Sequence, residues 1–218
     1  MYGREYGGRV VEFEASGGLV NSSLVMQDRQ TDTYWSIMEG EAVAGELEGQ
    51  VLEELNVGEK IQWRHWRARH PETLVLSVEG REDAGDAYRS YFREELGYRG
   101  QTATDSRLET KASIYAFHYA GKAYAVPQSR IETGRSYRLP DGSAVFLYRE
   151  AGASMHRSTS AFISSAGFVL EDGVWRESGS GARFDAETRR FPGVTPLGGF
   201  DTFWYNFSLN NPETTLLE

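Results

Sequence analysis

Five residues within one short stretch carry the groups best suited to chemistry: Asn21, Asp28, Arg29, Gln30 and Trp35. An arginine guanidinium is a forked donor for a carboxylate or phosphate, and an indole is a flat wall for a ligand to lie against. Trp63 and His70 extend the set, because an Arg29 that faces a cleft would share it with His70 or with the aromatic wall of Trp63. The same residues also describe a hairpin cap, in which Asp28 accepts turn amides and Arg29 pairs with it or with Glu39. His70 precedes Pro71, where it would serve a helix end by bonding the last carbonyls; as a general base it would need a partner and a pocket. A polar niche and a structural brace are both open on this evidence.

No other constellation has catalytic spacing. The four histidines, His65, His70, His118 and His156, are scattered, and the first two lie five apart, on different faces of a helix. Glu53–Glu54 and Glu94–Glu95 are sequence neighbours that point different ways, so they read as solvated surface. Phosphate loops, dinucleotide-binding glycine patterns, His-Glu-x-x-His and nucleophile elbows are missing, and Gly179-Ser180-Gly181 reads as a flexible turn. There is no cysteine, which removes disulfides, thiolate metal sites and cysteine nucleophiles. Neither a metal nor a cofactor is expected.

The elements that would position these residues are mostly strands. Residues 113–119 and 123–126 favour strands around Ala120-Gly121-Lys122, and 137–148 form a second hairpin turning at Pro140-Asp141-Gly142. Residues 24–26 and 34–37 pair across the polar 28–32 turn, while 168–170 and 174–175 pair across Glu171-Asp172-Gly173. Residues 9–15 alternate weakly. Helices are expected at 61–69, with Trp63 and Trp66 on its buried side and Pro71 beyond its end, and at 86–96, ended by Gly97.

The chain contains a degenerate copy of itself. Aligning Trp63 with Trp204, an offset of 141, also aligns Pro71-Glu72-Thr73 with Pro212-Glu213-Thr214 and Leu76 with Leu217. That is more identity than ordinary composition supplies over so short a stretch. Trp35 aligns with Trp175 after a one-residue shift. The expected organisation is a first repeat at 1–79, a helical connector at 80–111 and a second repeat at 112–218. The fold class is mostly β with a few short helices, a β-rich α+β protein whose repeats pack as one pseudo-symmetric body. Trp35, Trp175, Trp63 and Trp204 should all be buried.

With 39% hydrophobic and 25% charged residues, the chain has the composition of a folded protein. Its net charge of −9 repels phosphate backbones, and the basic run 63–70 is flanked by Glu59 and Glu72, so nucleic acid is excluded as a partner. No apolar run is long enough for a membrane span, and the chain reads as soluble.

The run Gly18-Leu19-Val20-Asn21 through Thr31, the block Gly40-Glu41-Ala42-Val43-Ala44-Gly45 and Trp63-x-x-Trp66-x-x-x-His70-Pro71-Glu72-Thr73 resemble, in order, the blocks of the DUF3179 family. Gly121-Lys122-Ala123-Tyr124-Ala125-Val126-Pro127 resembles the block that opens each half. The resemblance implies a first half opened by a similar block and a Cys-Pro strand before Met1, so a chain shortened at its N-terminus is expected. It also implies an extracytoplasmic site if an export signal lies upstream. The family has no established activity to transfer. The leading expectation is therefore a non-catalytic accessory protein that binds an unknown small molecule or protein. The alternatives are a hydrolase-like enzyme with Asp28, Arg29 and His70 in one groove, and a redox or metal accessory whose cysteine segment is missing.

Overall fold

The computed structural model describes residues 1–55, 59–77, 79–80, 88–153 and 159–218. Six strands come first: β1 (Glu5–Tyr6), β2 (Arg9–Val10), β3 (Phe13–Val20), β4 (Ser23–Asp28), β5 (Tyr34–Ser36) and β6 (Ala42–Ala44). Two helices follow, α1 (Trp63–Arg69) and α2 (Arg89–Arg93). Then come β7 (Ser113–Tyr119), β8 (Lys122–Pro127), β9 (Arg135–Arg138), β10 (Ala144–Tyr148), β11 (Ser160–Ser164), β12 (Phe168–Glu171) and β13 (Val174–Glu177). The last elements are β14 (Thr195–Pro196), β15 (Phe200–Phe203), helix α3 (Trp204–Asn210) and β16 (Thr215–Leu216). The β-rich class with few short helices is the class expected.

The chain packs into two compact units that interleave along the sequence. The first takes residues 1–58, 96–125 and 198–216; the second takes 59–95, 126–197 and 217–218. These units are divisions by packing, and their bounds differ from the repeats expected at 1–79 and 112–218.

In the first unit, β3-β4-β5-β6 form an antiparallel sheet and β15-β7-β8-β16 a mixed one, with β16 parallel to β8. Trp204 and Phe207 of α3 lie with Ile114, Ala116 and Ala125 in one apolar cluster, and Trp35, Ala42 and Leu52 centre another. In the second unit, β14-β11-β10-β9 form an antiparallel sheet beside the β12–β13 hairpin, around Phe146, Phe162, Phe168 and Phe191. Among the described residues four hairpins turn on consecutive residues with positive φ: Gly7-Gly8, Asn21-Ser22, Ala120-Gly121 and Asp172-Gly173. That sign pattern matches the right-handed twist of the strands it joins, and Asn, Asp and Gly tolerate it best.

The helices correct the sequence reading in two places. α2 stops at Arg93, where Glu94 is already extended (φ −72°, ψ 147°), and residues 86 and 87 of the expected helix lie outside those described. Gly97 does not cap it; its role is steric, because a Cβ there would stand 2.5 Å from the Tyr205 ring. In α1 the buried side chain is His65, whereas Trp66 is partly buried and Trp63 is 46% exposed. The His65 Nδ1–H donates to the Glu187 carbonyl at 2.6 Å, and Arg64 pairs with Glu150, so polar contacts decide which face of this short helix turns inward. Of the four tryptophans expected to be buried, Trp35 and Trp204 are, Trp175 is partly buried and Trp63 is not.

Candidate functional site

The residues singled out in the sequence fall into separate places. Asp28 ends β4 fully buried and accepts from the Gln30 and Thr31 amides at 3.1 and 2.6 Å, the Thr31 hydroxyl, and the Trp35 indole N–H at 2.9 Å. Burial by itself would raise its pKa, but the Trp35 indole and the Thr31 and Gln30 donors together hold it below the usual carboxylate range. Arg29 donates through Nε and Nη2 to Glu14 at 2.8 Å on the surface, not to Asp28 or Glu39. The Gln30 side-chain oxygen accepts from the Glu12 amide. Together these contacts close the turn onto β3.

Asn21 lies at the other end of β4, roughly 20 Å away at the rise of an extended strand. Its side-chain amide donates to the Leu209 carbonyl at 3.1 Å, and its own carbonyl accepts from Asn206. Trp35 is a core residue, with Tyr6 and Phe13 edge-on to it. Trp63 and His70 belong to the second unit, where the His70 ring lies 4.3 Å from that of Trp66 and its backbone N–H caps α1. His156 lies outside the described residues.

A different group of titratable side chains converges in the first unit. β7 carries His118 to a cleft of about 630 Å³, which Glu39, Glu41, Lys122, Asn211 and Thr215 also line. The Asn211 amide nitrogen lies 3.4 Å from the Phe207 carbonyl, which turns its oxygen toward His118 Nε2 at 3.1 Å. His118 Nε2 must therefore donate, while Nδ1 faces the Glu54 carboxylate at 3.4 Å. An imidazole with acceptors at both nitrogens is best satisfied as the imidazolium. The hydrogen bond to Glu54 is the main cause that raises its pKa; burial opposes this, and Asn211 and the charges of Glu54 and Glu39 add to it.

Glu39 is half-buried, and burial pushes its carboxyl upward, helped by the neighbouring charge of Glu41 and opposed by Ser36 and His118. Behind it, Tyr2 donates to the Met38 carbonyl at 2.9 Å; burial, with Glu54 and Glu39 close by, raises its phenol pKa. Gly40 makes room for this ring, since a Cβ there would sit 2.4 Å from Tyr2. Of the sequence pair Glu53–Glu54, only Glu53 is the solvated surface expected; Glu54 turns inward to His118. The signal available in sequence was a lone histidine at the end of the apolar β7 run, with Asn211 at the repeat position of His70.

The second unit holds an aromatic notch of about 380 Å³, lined by Tyr148, Trp175, Phe184 and Leu170. Of the residues that line it only Tyr148 is titratable. Among the described residues no set of three His, Asp or Glu side chains is arranged to hold a metal, and no helix is long and apolar enough to cross a membrane.

Comparison with known proteins places the chain. The profile of DUF3179, a family described as proteins of unknown function, matches residues 1–214, so the chain belongs to that family. No curated protein and no solved structure matches it.

Proposed function

We propose that this DUF3179 member is a binding protein whose first unit takes a small ligand bearing a positively charged group, such as an amine, in the His118 cleft. The observation that carries this reading is the half-buried carboxyl of Glu39 at a cleft whose nearby imidazole, that of His118, is already committed to Glu54 and Asn211. His118 has both ring nitrogens engaged by Glu54 and Asn211, so its charge is balanced within the fold. Of the charged groups left on the cleft wall, Glu39, Glu41 and Glu213 outnumber Lys122. A cation entering there would restore the partner that burial denies Glu39, and the interaction gains strength as water is excluded.

The same geometry argues for binding over turnover. A general base needs a free nitrogen within reach of the proton it abstracts, and both His118 nitrogens are taken up by Glu54 and Asn211. The test is a thermal-shift survey of small amines, carboxylates and phosphate esters against the whole chain and Glu39→Gln. Amines should raise the melting temperature of the wild type and lose most of that effect in Glu39→Gln. Selective stabilisation by anions, or conversion of an added compound, would overturn the proposal.

A further inference from the structure

Helices α1 and α3 stand at the 141-residue offset of the internal repeat, each seven residues long. Their ends match closely. The cap residues His70 (φ −132°, ψ 69°) and Asn211 (φ −128°, ψ 73°) donate to the carbonyls of Trp66 and Phe207, and Thr73 N–H and Thr214 N–H reach back to His70 and Asn211 at 3.1 Å each. Two chain segments with the same backbone path should need the same partners, yet these two differ. After Thr214 the chain forms β16, whose Thr215 and Leu216 pair parallel with Tyr124 and Ala125 of β8. After Thr73 the corresponding Leu74, Val75 and Leu76 are 94%, 68% and 93% exposed and pair with no strand among the described residues. The helices differ in the same sense: Trp204 is fully buried in a cluster with β7 and β8 residues, whereas its counterpart Trp63 is open.

We propose that Leu74–Leu76, with Trp63 beside it in the repeat, is a docking edge for an extended polypeptide segment that pairs parallel with it as β8 pairs with β16. The fold itself shows what covers such an edge. In β8 small and large residues alternate, Ala123-Tyr124-Ala125-Val126, and the last three are buried, so side chains pack on both faces while the backbone supplies the hydrogen bonds. Three consecutive exposed apolar residues, in a repeat whose helix tryptophan is exposed too, are the mark of such a surface. A second copy of this chain is a poor occupant, because its own β8 already lies between β7 and β16.

The probe is a fluorescent peptide with the sequence of residues 121–127, Gly-Lys-Ala-Tyr-Ala-Val-Pro, titrated into the whole chain. Anisotropy should show saturable one-to-one binding, and hydrogen exchange should slow at the amides of 74–76. Val75→Pro, which removes a strand donor at an exposed position, should weaken binding at least tenfold with an unchanged circular dichroism spectrum. If that variant misfolds, Leu74→Lys with Leu76→Lys should give the same loss. The proposal is overturned if the peptide does not bind, if it binds both variants as well as wild type, or if the edge instead pairs two copies in a dimer that Val75→Pro dissolves.

Discussion

Asp28 and Arg29 are neighbours in sequence with opposite structural weight. Asp28 is a buried carboxylate with donors from Gln30, Thr31 and Trp35, whereas Arg29 holds one exposed partner, Glu14. Asp28→Asn presents an amide N–H to one of those donors and should cost about 1–3 kcal/mol in urea unfolding, the penalty for a buried hydrogen-bonding group left unmatched. Arg29→Met keeps the stem and should change stability by less than about 1 kcal/mol, as for exposed ion pairs. Equal losses in the two variants would show that the hairpin is braced from its surface. The residue types of this cluster were legible because turn chemistry is local. Which of them face inward was not, since that depends on Glu12, just before β3, and Glu14 within it meeting Gln30 and Arg29.

At the level of elements, His118 joins β7, the segment carrying Glu54 and the C-terminal cap of α3. Its pKa is raised in the folded state, so the stabilisation it contributes is fully present below the unfolded value of about 6.5 and is lost as pH rises through the folded one. Glu54→Gln removes the largest cause of that shift. The loss of unfolding free energy on this substitution should therefore be larger at about pH 6 than at about pH 9. A loss independent of pH would show that Glu54 supports the fold without reference to the imidazole. The hairpins at Ala120-Gly121 and Asp172-Gly173 were readable, because these residues dictate their own turns. The inward face of α1 was not, because tryptophan spacing alone pointed to Trp63 and a buried His65 took its place. Gly179-Ser180-Gly181 read as a flexible turn, and residues 178–180 do form a turn, whose polar contacts were not legible. In the fold Ser180 donates through its amide and hydroxyl to Glu177 at 2.6 Å, and with Ser164 holds that carboxylate down at about 2.

For the whole molecule, the net charge of −9 and the acidic cleft wall favour the same kind of ligand and disfavour phosphate backbones. The likeness of Pro71-Glu72-Thr73 to Pro212-Glu213-Thr214 was visible in sequence, and each follows a seven-residue helix with nearly the same cap angles. The His118 cleft was hidden. Its members, Glu39, Glu54, His118 and Asn211, are spread over most of the chain, and only the folding of the first unit brings them together. The most direct test is to follow the backbone amide and histidine ring resonances of the isotopically labelled chain as a small amine is added at neutral pH. The account predicts saturable shifts confined to residues around Glu39, His118, Asn211 and Thr215, absent in Glu39→Gln. Shifts centred on the Asp28–Arg29 hairpin or on the Tyr148–Trp175 notch, or none at saturating amine with a response to anions instead, would contradict it.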